Sequence, residues 1–251
     1  MSDYTAPLRD MQFVLEHLAG LADVAKLPGC GEATPDVVEQ ILAENARFSS
    51  EVLAPLNWSG DQEGSQWQDG EVRTPKGFKE AYKQFVEAGW NALQFPEEFG
   101  GQGLPKVVAT PVMEMWKSAN LSFSLCPLLT GGAIEALLLR GTDAQKAQYL
   151  PKMVEGSWTG TMNLTEPQAG SDLALIKSKA VPEGDHYRIF GQKIFITYGE
   201  HDLAQNIVHL VLARTPDAPP GVKGISLFIV PKFMVNADGS LGERNDVKCV
   251  S

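Results

Sequence analysis

Residues 162–172 read Met-Asn-Leu-Thr-Glu-Pro-Gln-Ala-Gly-Ser-Asp, and further on residues 193–197 read Lys-Ile-Phe-Ile-Thr. The first stretch reads as a strand that breaks into a turn. Thr165, Ser171 and Asp172 supply hydroxyl and carboxylate oxygens, Pro167 fixes one backbone angle, and Gly170 permits a close approach or a positive φ. The second reads as a short strand whose apolar and aromatic residues end on a hydroxyl. A flat, mostly apolar ring with a polar edge needs both, a surface to lie on and donors that reach its rim.

On the N-terminal side of this pair the pattern is helical from Pro7 to about Val154, with Met11, Val14, Leu15, Leu18 and Leu21 at helix spacing. Thr34-Pro35 and Thr74-Pro75 each read as a hydroxyl cap before a proline suited to the first helical position, the second opening a segment in which Phe78, Tyr82, Phe85 and Val86 share a face. Between them, Asn57 to Arg73 lacks periodicity and reads as a long surface connection. Leu121 to Arg140 is densely apolar and ends at Gly141, after which Thr142-Asp143-Ala144-Gln145 has the form of a capping box.

From Ser157 onward the punctuation changes. Tyr187 to Phe190, Ile207 to Leu212 and Ile225 to Val230 are short β-branched and aromatic runs separated by Gly, Pro and Asp turns. The expected fold class is α+β, an N-terminal all-helical domain over 1–156 followed by a middle β domain over 157–251, with the Thr-Glu-Pro turn close to their junction.

Composition narrows the function classes. A chain of 251 residues with 43% hydrophobic content can bury a sizeable core. A formal net charge of −10 argues against broad binding to nucleic acid or anionic membrane. The apolar runs read as too short for a bilayer span, and Met1 to Asp10 lacks the pattern of a secretion signal, so a cytoplasmic protein is the expectation. Cys30, Cys126 and Cys249 are odd in number and widely spaced, which suggests reduced thiols. No metal site is expected: His201 and His209 stand eight apart with no cysteine near, a spacing foreign to common ligand pairs.

Taken together, segments 164–172 and 193–197 resemble the flavin-binding pair of the acyl-CoA dehydrogenases. Pro96-Glu97-Glu98-Phe99-Gly100-Gly101-Gln102-Gly103 is similar to the turn that precedes a long helix in the same family. Gly199-Glu200-His201-Asp202 and the stretch from Gly221 to Phe233 resemble the branch that includes methylthiopropionyl-CoA dehydrogenases. The resemblance covers nearly the whole chain and is weakest over residues 1–60, which would hold a branch extension and the first helices.

The resemblance implies a middle domain of β-barrel or sandwich type, with a C-terminal helical domain beyond Ser251. Val247 to Ser251 reads as the start of a strand in an incomplete β domain. It implies FAD as cofactor and an acyl-CoA thioester as substrate, dehydrogenated to a trans-2-enoyl-CoA, with electrons passed to electron-transfer flavoprotein. A homo-oligomer is expected of the full-length protein. The implied FAD contacts are Met162, Leu164, Thr165, Gly170, Ser171, Phe195, Ile196 and Thr197, and Ser171 would also border the acyl-CoA channel. In this reading Thr165 and the backbone from Met162 to Glu166 meet the pyrimidine edge of the ring. Thr197 donates toward its N5/O4 side, and Phe195 lies on the ring face where other members carry tryptophan.

Each residue also has a plainer reading. Thr165 can be a turn-capping threonine, Ser171 a turn serine and Phe195 a core aromatic. Asp172 beside a diphosphate would be repelled, so a structural hydrogen bond suits it better. The family's glutamate base lies in the C-terminal domain, which would leave this chain with weak activity and reduced FAD retention. Glu166 is architectural by resemblance, while His201 is open as a base, a loop residue or a substrate contact. Met113, Met115, Trp116, Leu128 and Leu129 read as helix-packing core before acyl-pocket lining. Two further readings of the scaffold are an oxygen-using acyl-CoA oxidase and a non-catalytic interaction module.

Overall fold

The computed structural model describes residues 4–251; residues 1–3 of the Met1 to Asp10 reading lie outside the described residues. The helical half comprises α1 (Leu8–His17), α2 (Leu21–Val24), α3 (Pro35–Phe48) and α4 (Ala54–Glu63), then a hairpin of β1 (Gln66–Gln68) and β2 (Glu71–Arg73), then α5 (Phe78–Glu87), α6 (Lys106–Ala119), α7 (Leu121–Arg140) and α8 (Asp143–Glu155). The β half comprises β3 (Trp158–Asn163), β4 (Lys179–Glu183), β5 (His186–Phe190), β6 (Asn206–Ala213), β7 (Ser226–Pro231), β8 (Phe233–Val235) and β9 (Leu241–Arg244).

Most helix boundaries follow from capping. Thr34 accepts from the Val37 amide at the start of α3, and Thr142 with Gln145 forms a complete capping box on α8. Gly156, in the left-handed region at φ 93°, closes α8. Tyr82 donates to its carbonyl at 2.8 Å, and the Asn91 amide donates to the Met153 and Val154 carbonyls left open at that helix end.

The Thr74 cap is not formed. Helix α5 opens at Gly77, φ 90°, with no side-chain cap, and Thr74 lies before it with its amide and hydroxyl both donating to the Asp202 carboxylate, at 3.0 and 2.7 Å. The segment 57–73 is likewise not a plain connection. It continues α4 to Glu63 and then turns through Asp69-Gly70, both at positive φ, the pair a tight type I′ hairpin demands. The α1 pattern stops at His17, and Leu18 is exposed, because Gly20 turns the chain into α2. Val247–Ser251 forms no strand; the Cys249 carbonyl there accepts from the Trp67 indole of the hairpin.

Helix α7 is 20 residues long and apolar enough to cross a bilayer by length and composition, longer than the sequence reading allowed. Here it is a core helix. Its Ala133, Ile134 and Leu137 form one buried cluster with Leu150 and Met153 of α8 and with Trp158, Val208 and Leu210 of the sheet. Gly160 of β3 makes that closeness possible, since a Cβ there would sit 2.5 Å from the Ala133 methyl. A second cluster lies within the helical half around Phe85, Trp116 and Phe123, and Leu203 of the β half reaches into it.

Strand β3 pairs in parallel with β6, Thr161 opposite His209, and β6 pairs antiparallel with β7. Strand β3 is therefore an edge of its sheet. β4–β5 and β8–β9 are separate antiparallel pairs, the first tied to the end of β6 by backbone bonds between Ala180, Ser178 and Arg214.

Candidate functional site

Strand β3 runs out at Asn163, and the next residues make the turn that the sequence announces. Glu166 and Ala169 exchange backbone hydrogen bonds at 2.9 and 3.0 Å across Pro167-Gln168. Asp172 accepts from the Ala174 amide and opens a short helical turn over Leu173–Leu175, the structural bond that suits it. Gly170 does not use a positive φ; open space lies beside it, and both Gly170 and Ser171 are exposed.

The segment 193–197 meets this turn directly. The Ile194 amide donates to the Thr165 carbonyl at 2.9 Å, and the Lys193 ammonium donates to the Leu164 carbonyl at 3.1 Å and to Glu166 at 2.8 Å. The pair Lys193–Glu166 is buried, at 8% and 4% side-chain exposure. The two segments singled out in the sequence are thus stitched side by side, with Lys193, whose role sequence reasoning missed, as the stitch.

Burial alone would raise the Glu166 pKa, but the Lys193 ammonium and the Lys177 and Ser178 amides outweigh it and bring it down to about 2. A carboxylate with its oxygens so fully engaged is a fixed structural anion rather than a proton acceptor.

Segment 193–197 is not a strand. Phe195 takes a left-handed φ of 57° and Tyr198 one of 52°, conformations that cost a bulky residue energy and break the extended run after the single bond from Ile194. The consequence is a Phe195 ring that is 89% exposed, beside an exposed Thr197. Phe195 is therefore no core aromatic. Ile196 and Thr165 are half-buried, as is Leu164; Met162 on β3 points its side chain to the α7–α8 cluster, leaving its backbone for any contact at the strand's edge.

The flanking 200–202 segment is structural. Glu200 pairs with Lys232 and with Arg244 at 3.5 Å. Nδ1 of His201 accepts from the Leu203 amide at 3.1 Å, so the ring proton sits on Nε2 and goes to Thr159 at 3.0 Å. Burial, with Lys232 nearby, lowers the His201 pKa to about 3. His201 is neutral and engaged on both nitrogens, which removes it as a base. His209 sits against Thr161 at 2.7 Å and is lowered to about 4, again chiefly by burial. Among the described residues no group of three or more His, Cys, Asp or Glu could hold a metal ion. Met115 and Trp116 are buried in the helical core and Met113 packs on it, while Leu128 is 40% exposed.

The model of the acyl-CoA dehydrogenase N-terminal domain matches residues 36–157, and that of the middle domain matches residues 161–246. The chain belongs to the acyl-CoA dehydrogenase family. It is 54% identical over 249 residues to 3-methylmercaptopropionyl-CoA dehydrogenase of Ruegeria pomeroyi, covering 99% of this chain and 42% of that protein. It is 39% identical over 254 residues to a butyryl-CoA dehydrogenase of Syntrophomonas wolfei, covering 98% of this chain and 41% of the relative. The crystal structure of a probable acyl-CoA dehydrogenase from Mycobacterium abscessus superposes with TM-score 0.64 at 28% identity, over 79% of this chain and 49% of that one. The chain thus spans about two-fifths of the length of the curated relatives it matches. Its order of a helical half followed by a β-rich half is that of the family's N-terminal and middle domains.

Proposed function

We propose that this chain holds FAD and one side of an acyl-CoA in a protein that dehydrogenates the thioester at its α and β carbons, giving a trans-2-enoyl-CoA. The observation that carries the reading is Phe195. An aromatic ring 89% exposed, on a backbone held in a strained conformation, and rooted by Lys193 and Ile194 on the Thr165 turn, is a surface built for a planar partner.

The residues fit an isoalloxazine in chemistry as well as shape. Phe195 offers a π face, and Thr165 and Thr197 offer hydroxyl donors for a polar rim. Ser171, on the exposed turn beside the open space at Gly170, suits phosphate oxygens and the thioester channel. When bound, FAD supplies the two-electron acceptor for the substrate's β-hydrogen. The chain's own part is to orient the ring, exclude water from one face and hold donors where negative charge gathers on reduction. The α-proton goes to a base that is none of Glu166, Glu200 and His201, each of which is committed to structural bonds.

The identity to the Ruegeria relative favours a short methylthioalkanoyl thioester, electron-transfer flavoprotein as acceptor is the family-based expectation, and assembly as a homo-oligomer in the cytoplasm completes the proposal. The working division is 1–156 for the helical domain and 157–251 for the β domain. Anaerobic titration of the FAD-loaded whole protein with a panel of acyl-CoAs tests it. Bleaching of the flavin band by one or more thioesters is expected, and failure with every thioester overturns the activity.

A further inference from the structure

The strained turn has an anchor that the flavin reading does not use. The Tyr198 phenol donates to the Ser122 carbonyl in the first turn of α7 at 2.8 Å, and its ring packs edge-on to His201, centroids 5.5 Å apart. Four residues on, Asp202 accepts both the amide and the hydroxyl of Thr74. On the other side of the turn, Lys193 and Ile194 fasten the chain to residues 164–166. Between these fixed ends the turn is closed by one backbone bond, from the Gly199 amide to the Ile196 carbonyl at 3.0 Å, and its first residue, Phe195, carries the exposed ring.

We propose that Tyr198 is a positioning residue: by tying the 195–198 turn to helix α7, its phenol holds Phe195 in the left-handed, outward conformation that receives the flavin ring. A turn with two bulky residues at positive φ would relax toward extended backbone if it were free to do so. The Lys193 stitch fixes where the turn starts, but Tyr198 fixes where it ends, and it does so on the helical half. Tyr198 therefore couples the packing of that half to the presentation of a residue in the other. The flavin part of this inference rests on the function proposed above.

The test is a double-mutant cycle on the 251-residue chain with two readouts. Amide exchange in the flavin-free chain reads the latch. Tyr198→Phe, which keeps the ring and removes the hydroxyl, is expected to speed exchange of the Ile194 and Gly199 amides by about fivefold or more; unchanged exchange overturns the latch. FAD affinity, by flavin fluorescence titration, reads the positioning. Tyr198→Phe is expected to weaken FAD about five- to tenfold in the wild-type background, and to change it less than about twofold in a Phe195→Ala background, where there is no ring left to position. Equal losses in both backgrounds, or no loss in the first, overturn it. A wild-type chain that binds no FAD fails the functional reading and the flavin part of this inference, while the exchange measurement still decides the latch.

Discussion

Lys193 and Glu166 form a buried ion pair, 2.8 Å from ammonium to carboxylate, between the two segments of the candidate site. Neither partner can be removed alone without stranding the other's charge away from water. Lys193→Met is expected to destabilise the chain by about 3–5 kcal/mol, whereas the double change Lys193→Met with Glu166→Leu recovers much of that loss. Urea unfolding of the three proteins checks this. Equal stability of Lys193→Met and wild type would show the pair to be idle.

Acid should act in two stages. His201 and His209 have folded pKa values lowered to about 3 and about 4, so the unfolded chain takes up their protons first. Their contribution is complete above the unfolded histidine value near 6.5 and is lost as pH falls toward the folded values, with a slope of about 1.4 kcal/mol per pH unit for each. Glu166, lowered to about 2, adds its own loss once pH drops below the unfolded carboxylate range. Stability measured from pH 7 to 4 should fall steadily, and His209→Gln should flatten the slope. A curve level down to pH 5 would contradict the assignment of both rings as buried and neutral.

Phe195→Gly separates stability from function. Removing a bulky residue from a left-handed φ relieves strain of about 1 kcal/mol or more, so the flavin-free chain should melt at an equal or higher temperature. FAD affinity should drop by about tenfold with the loss of the aromatic face. A variant that loses stability and keeps its affinity would refute the role given to the ring.

Gly160→Ala tests how the halves meet. Its new methyl would lie 2.5 Å from Ala133 on a helix that cannot yield locally. The expected cost is about 1–3 kcal/mol by overpacking, read as a lowered midpoint in urea.

The sequence made the order of helical and β parts readable because periodicity and capping are local signals, as Thr34 and the Thr142–Gln145 box show. Where it misled, a long-range partner had intervened. Thr74 has the form of a cap, but its amide and hydroxyl are tied to Asp202, far along the chain, and the helix opens three residues later at Gly77. The segment 193–197 has strand composition, and only its docking on the Thr165 turn and the Tyr198 anchor force the left-handed turn at Phe195. The Asp69-Gly70 hairpin was legible in principle, for that dipeptide is among those a type I′ turn favours, but the short exposed strands around it lack alternation. The role of Lys193 was hidden for a plainer reason, since a lysine at a strand start is usually solvated and its burial depends on an acid in another segment.

The central claim is that the Thr165 turn and the 193–197 segment jointly receive an isoalloxazine. A crystal structure of the chain grown with FAD tests this most directly. The expected result is the ring lying on Phe195 with its polar rim within hydrogen-bonding reach of Thr165 and Thr197. A flavin bound elsewhere on the chain, with Phe195 still bare to solvent, would contradict the account.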